Sequence, residues 1–421
     1  VRPRDPSKAV LFLSNGHGED AIGAQIAQRV QALAGDRLRL LAFPLVGAGD
    51  SYRRAGIPVV GPQAELPSGG FAYLSLRNTL RDLLAGGAGL AVRQLRFARR
   101  HRHQWDAVVG VGDRVSLQLN HLILKKPMVW VAIAYSVRVV PPGKRFGNPR
   151  RWRPLRDPGI DAFVRDPDTQ AALKEMGYRT EYVGNAMRDA LAPNADTLRR
   201  VEAALGAAGW DGASPVVALL PGSRKDAFLN LPGQLEVLRT LHAETAGRVR
   251  GAVAWAPADP SGALAETLAR AGWRLQATEP ASDRWQGGSA EGVAIPVDPT
   301  SPGLAVPILR GAFAEILALC SAVIGQAGTA VEQAVGLGKP AVTFQGAGMQ
   351  VTPRFLTVQE RLLRGAIALA EPSPEEVARE ALAILFDPER YRSMSEAGKR
   401  LMGPPGATDT IARRIVQRFA P

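Results

Sequence analysis

Short apolar runs alternate with amphipathic stretches along most of this chain. The runs are Ala9–Leu13, Leu38–Phe43, Ile57–Val60, Ala107–Val111 and Met128–Ala134. Later come Pro215–Leu220, Gly251–Ala256, Val306–Leu309, Ala322–Ile324 and Pro340–Phe344. They are rich in Val, Ile and Leu and too short for helices, which is the pattern of parallel strands buried on both faces. Helical periodicity follows them, as with Ile22, Ile26, Val30 and Leu33 after the first run. Such alternation predicts doubly wound α/β sheets. It weakens between about Asp189 and Ser214, which divides the chain nearly in half. We therefore expect two Rossmann-like domains, residues 1–190 and 191–421. After the Gly403–Gly406 break, Ile411, Ile415, Val416 and Phe419 share one face, predicting a terminal helix over about 408–419.

Composition narrows the picture. The 421 residues exceed one ordinary core, and 46% hydrophobic with 22% charged residues is a globular proportion. A single cysteine, Cys320, excludes an intrachain disulfide and fits a reducing compartment. One Cys and five His argue against a structural zinc site. No apolar stretch has the length of a membrane span, and the run from Ala9 is too short for a signal-peptide core, so we expect a cytoplasmic protein. The net charge of +13 suggests an anionic partner, although a bias towards Arg in a merely soluble enzyme explains the total equally well.

Four glycine turns stand at the ends of predicted strands, where ligands of open α/β sheets bind. Asn15-Gly-His-Gly-Glu-Asp20 follows the first strand. Asn15, Gly16 and Asp20 suit an acceptor hydroxyl, and His17 or Glu19 a base; the alternative is a capped helix with Asp20 near its N-cap. Val109-Gly-Val-Gly-Asp-Arg114 places Asp113 as a second candidate base, or as a turn residue paired with Arg114. Leu219-Leu-Pro-Gly-Ser-Arg-Lys225 offers the N–H groups of Gly222 and Ser223 and the fork of Arg224 to a diphosphate. Gly325-Gln-Ala-Gly-Thr-Ala-Val-Glu-Gln333 opens a helix, so Gln326, Gly328 and Thr329 can face a diphosphate while Glu332 holds ribose hydroxyls. The alternative for Glu332 is a capping box. Gln350 is an amide that can read sugar hydroxyls.

Two further stretches are basic. Residues 138–156 carry seven Lys and Arg, among them Arg145, Arg150, Arg151 and Arg153, with Phe146 and Trp152 interleaved and no acid. Residues 93–103 carry five Arg and two His, and Leu76, Leu80, Leu83 and Leu84 before them have helical spacing. Such stretches suit an anionic membrane surface, or single-stranded nucleic acid, or a solvated loop beside a core helix.

Together, Leu-Pro-Gly-Ser-Arg (220–224), Gly-Thr-Ala with its Glu (328–332), Tyr-Val-Gly-Asn (182–185) and Asp-Ala-Ile-Gly-Ala (20–24) resemble the lipid-A-disaccharide synthase family, in its synthase-related branch. The resemblance implies a GT-B architecture: two Rossmann-like domains facing across a cleft, with a terminal helix returning to the first. It implies inverting transfer from a UDP-sugar, with no metal and no further cofactor, to a lipid or glycolipid acceptor. It puts Gly222–Arg224 on the diphosphate and Glu332 or its neighbour Gln333 on the ribose. The first turn departs from the family's pattern and is nearer to that of the peptidoglycan glucosaminyltransferase. A UDP-sugar 2-epimerase on the same architecture is the competing expectation. A nucleic-acid-binding protein without catalysis is a third; it would leave the phosphate-type turns unexplained, and no nucleic acid is expected.

Overall fold

The computed structural model describes residues 8–63, 87–141, 146, 149–189, 191–257, 262–275 and 292–420. The chain divides into two compact units, Val1–Ala190 with Gly403–Pro421, and Leu191–Met402.

Unit 1 is built on β1 (Lys8–Ser14), β2 (Leu38–Pro44), β3 (Ala107–Val111), β4 (Met128–Ala132) and β5 (Ile160–Val164). The order is β2-β1-β3-β4-β5, parallel throughout. Leu11, Leu13, Val108 and Trp130 form one core layer with Trp105, Leu117 and Trp152. The helices that matter here are α1 (His17–Ala34), α2 (Gly87–His101) and α3 (Arg114–Leu119) in this unit. In unit 2 they are α4 (Asp226–Glu244) and α5 (Thr329–Gly336), and α6 (Ala407–Phe419) brings the chain back to unit 1. There α6 packs on α1 and buries Ile411, Ile415 and Phe419. The strand order reverses between β1 and β3, so the loops leaving those two strands part to opposite faces and open a crevice.

Unit 2 holds β6 (Val216–Leu220), β7 (Arg250–Trp255), β8 (Arg274–Leu275), β9 (Gly292–Ala294), β10 (Pro296–Val297), β11 (Ile308–Arg310), β12 (Ala322–Gly325), β13 (Ala341–Thr343) and β14 (Ile367–Leu369). Its main sheet runs β14-β13-β12-β6-β7-β11-β9, parallel except for β9; β8 and β10 form a separate antiparallel pair. Here the reversal lies between β6 and β12. Val217, Leu219 and Val253 pack with Leu231, Leu235 and Leu238 of α4.

Several elements differ from expectation. Ile57–Val60 makes only an isolated bridge, Ala42 to Val59, because Pro58 has no N–H to extend a ladder. Strand β5 lacks an alternating or purely apolar pattern because Asp161 interrupts it; Arg418 of α6 pairs with that carboxylate. Trp152 is no surface aromatic: it is 2% exposed, stacks on Phe146 and gives its indole N–H to the Phe146 carbonyl at 3.3 Å. Leu76, Leu80, Leu83, Leu84, Lys144 and Arg145 lie outside the described residues, as do the side chains of Arg150 and Arg151. Arg153 and Arg156 are exposed. No helix among the described residues is long and apolar enough to cross a membrane.

Candidate functional site

In unit 1 the crevice between β1 and β3 gathers carboxyl groups. Ser14 pairs with Val111 in register, which sets Asn15 beside Gly112 just past the sheet edge. The Asn15 amide Nδ2 donates to Asp113 Oδ2 at 2.8 Å, and the Asn15 backbone N–H donates to Glu19 Oε2 at 2.7 Å. Glu19 also accepts the Asp113 backbone N–H. One carboxylate thus ties both turns together. It lies against Gly112, whose φ of 106° and bare Cα are both required: a Cβ there would overlap the Glu19 carboxyl.

The electrostatics follow from this crowding. Burial first, then the neighbouring Asp113, hold the Glu19 carboxyl well above the usual carboxylate range. Asp113 is raised as well, again by burial, with the bonds from Asn15 and Val115 and the charge of Arg114 opposing. Asp113 is the N-cap of α3, its Oδ1 accepting the Val115 N–H at 2.8 Å. Its own carbonyl accepts the indole N–H of Trp130 at 3.2 Å, which fixes the turn. Arg114 does not form the expected pair with Asp113. Its Nε donates to the Tyr135 hydroxyl at 3.1 Å.

Asp20 is not at the N-cap, which is Gly16; it is buried in the first turn of α1. Its Oδ1 accepts the Ser14 hydroxyl at 2.6 Å, and Ser14 lies 3.1 Å from the Tyr52 hydroxyl. Nothing in the spacing around Tyr52 marks it as a partner of this turn. Only the bare Gly23 beside its hydroxyl hints that something large fills that space, because a Cβ on Gly23 would overlap it. His17 opens α1, and its side chain lies outside what the structure describes.

In unit 2 the two glycine turns lie side by side. Leu220 pairs with Gly325 in register, and the Gln326 N–H donates to the Leu220 carbonyl at 2.9 Å. Gly222 has φ 116°, a conformation side chains rarely adopt, and faces the Gln326 carbonyl. Ser223 is exposed and Arg224 half-buried beside it. Gly328 is the N-cap of α5, Thr329 its first residue, and Glu332 lies in the first turn, half-buried. Gly328 has no side chain with which to cap α5, and the first N–H groups of a helix have no partner within it.

Buried amides brace these turns from behind. Gln326 accepts from Gln234 at 3.1 Å and donates to the Gln345 carbonyl at 3.1 Å, so its amide is committed to the scaffold. Gln333 is buried on the inner side of α5. Asn230 donates to the Pro221 carbonyl at 2.9 Å and accepts from Ala347 at 3.0 Å; Gln359 donates to the Ala327 carbonyl at 2.9 Å. Gln350 is held through its backbone N–H on Asp226, at 3.0 Å. Sequence reasoning missed Asn230 and Gln234. Their signal was available: two amides four residues apart on the apolar face of a helix mark a buried polar network. Among the described residues no cluster of His, Cys, Asp or Glu is arranged to hold a metal ion.

Solved structures share this architecture. The MnaA–UDP co-structure from S. aureus superposes at TM-score 0.60 with 12% identity, over 98% of this chain and 97% of that one. A UDP-GlcNAc 2-epimerase from Neisseria meningitidis bound to UDP-GlcNAc gives TM-score 0.56 with 12% identity, over 97% and 100%. MurG from Acinetobacter baumannii gives 0.53 with 16% identity, over 97% and 99%. The fold is of the GT-B type. At these identities the likeness is one of fold. No model of a protein family matches the chain, and no curated protein matches it in sequence.

Proposed function

We propose that the chain is a UDP-sugar enzyme, and that its reaction is the inverting transfer of a hexosamine-type sugar to a lipid-linked or membrane-surface acceptor. The observation that carries the nucleotide part is the pairing of the Gly222 and Gly328 turns at the strand reversal of unit 2. In this reading the N–H groups of Gly222, Ser223 and Gly328, the Thr329 hydroxyl and the Arg224 fork meet the diphosphate, and Glu332 meets the ribose. Structures of this fold with UDP or UDP-GlcNAc bound support the choice of nucleotide.

Asp113 is our choice of base. It is half-buried, and burial raises its basicity while Asn15 and Val115 hold both oxygens in place. It would take the acceptor hydroxyl proton as that oxygen attacks the anomeric carbon and the bond to UDP breaks. The leaving charge falls to Arg224 and the turn N–H groups, so the reaction requires neither a metal nor a further cofactor. Glu19, bonded to both turns, positions Asp113. The lipid-A-disaccharide synthase motifs and the fold shared with MurG favour transfer.

A second reading has its own support. Two carboxyls of raised affinity for protons, Glu19 and Asp113, are what a C2 epimerisation needs to remove and return a proton, and a UDP-GlcNAc 2-epimerase shares the fold.

Calorimetry with UDP, followed by turnover of UDP-GlcNAc with and without a lipid acceptor, separates these. Arg224→Ala should weaken UDP binding by roughly tenfold or more, the worth of a charge-assisted bond. Asp113→Asn should keep UDP affinity and lose roughly a hundredfold or more in turnover. Release of UDP only with acceptor supports transfer; conversion of the sugar without acceptor supports epimerisation. Unaltered UDP affinity in a folded Arg224→Ala protein would remove the nucleotide assignment. Activity lost in chelator and restored by magnesium would remove the metal-free mechanism.

A further inference from the structure

Arg114 stands next to the proposed base yet belongs to no part of the chemistry above. Its guanidinium carbon lies 5.0 Å from the Tyr135 ring centroid and 5.3 Å from that of Trp152, with Phe146 stacked on the far indole at 5.3 Å. The Nε bond to the Tyr135 hydroxyl at 3.1 Å fixes the rotation of the planar group. Among the described residues neither terminal nitrogen has a hydrogen-bond acceptor or an ion-pair partner, and the residue is half-exposed. Its electrostatic partner is Asp113, whose carboxylate is bonded instead to Asn15 and Val115.

A guanidinium oriented by two aromatic faces, with no acceptor for its fork of donors among the described residues, is prearranged for a carboxylate or phosphate. A mere counter-charge for Asp113 needs no such orientation. We propose that Arg114 is an oxyanion-binding residue of unit 1, which holds a phosphate or carboxylate of the acceptor beside Asp113. The proposal rests on the reading of unit 1 as the acceptor side. It assigns the acceptor to the anionic class, and the fork sets where the anion lies relative to the hydroxyl that reacts.

The test uses the full-length protein saturated with UDP, so that the unit 2 turns are filled. Inorganic phosphate and, separately, acetate are titrated while tryptophan fluorescence is followed, because Trp152 contacts the Arg114 group. The wild type should give a saturable change with at least one anion, and the responding anion names the class. Arg114→Gln should weaken that response by about tenfold or more, Arg114→Lys less, and Arg224→Ala not at all. UDP affinity should be the same in Arg114→Gln as in the wild type, which also shows that the variant is folded. No saturable response in the wild type, or an undiminished one in Arg114→Gln, overturns the proposal. If Arg114→Gln only moves the pH profile of turnover and leaves the anion response intact, Arg114 is a counter-charge and the proposal fails. A protein that ignores UDP but shows an Arg114-dependent anion response would sink the nucleotide reading and keep Arg114 as an oxyanion-binding residue.

Discussion

Asp20 carries the clearest pH consequence at the scale of single residues. It is 2% exposed, and burial lifts its carboxyl to about 7, with the Ser14 bond opposing and the Asp50 charge adding. Between its ordinary value of 3.8 and that level, the folded chain keeps a proton that the unfolded chain releases. The stabilisation is therefore fully present below about 4 and is lost as pH rises through about 7. Asp20→Asn keeps an oxygen for the Ser14 hydroxyl but cannot ionise. Wild-type stability should fall against that variant by roughly 2–4 kcal/mol from pH 4 to pH 8. Urea unfolding of both proteins across that range measures it; a constant difference would mean that Asp20 does not titrate with folding. The companion Tyr52 hydroxyl, pushed up by burial first, remains protonated throughout.

Among elements, the return of α6 depends on a cap supplied from far away in sequence. Its own N-cap, Gly406, offers no side chain. Asp189 does the work instead, accepting the Gly406 N–H at 2.8 Å and the Thr408 N–H at 2.7 Å. Its charge also favours the positive end of the helix. Arg188 adds a bond to the Gly403 carbonyl. Asp189→Ala should cost about 1–2 kcal/mol, as loss of a helix cap does. A lower urea midpoint with an unchanged slope is the expected reading, whereas an unchanged midpoint would show that water replaces the cap. The terminal helix itself was legible, because Ile411, Ile415 and Phe419 repeat at helical spacing. Its carboxylate cap was not, because Asp189 lies 217 positions before Gly406.

For the whole molecule, the excess of positive charge has a place on the surface. The outer face of α2 shows Arg93, Arg96, Arg99 and Arg100 with the exposed Val92 and Leu95, and residues 87–105 contain no acid. Anionic vesicles should therefore bind the protein at low ionic strength and release it as salt rises, at about 1 kcal/mol for each basic side chain near the surface. Neutral vesicles should retain little. Replacing Arg96, Arg99 and Arg100 with Glu should lower sedimentation with anionic vesicles while leaving UDP affinity unchanged. If the wild type stays in solution with anionic vesicles at low salt, a soluble acceptor or the epimerase reading takes precedence.

The pattern of residues by itself determined the α/β class, most of the strands and the position of each glycine turn at a strand end. These are local properties: a five-residue apolar run has few ways to be buried, and a turn that needs positive φ selects glycine. The same locality placed Glu19, Asp113, Arg224 and Glu332 at sheet edges. Tertiary structure decided what those residues meet. Whether Arg114 pairs with Asp113 or turns to Tyr135, and whether Asp20 caps a helix or sits buried under Tyr52, depends on chain segments that come together only on folding. It also moved Trp152 from a supposed basic surface into the core. Sequence spacing reports the period of each element, but the strand order, which sets β1 beside β3 and β6 beside β12, arises from packing between elements distant along the chain.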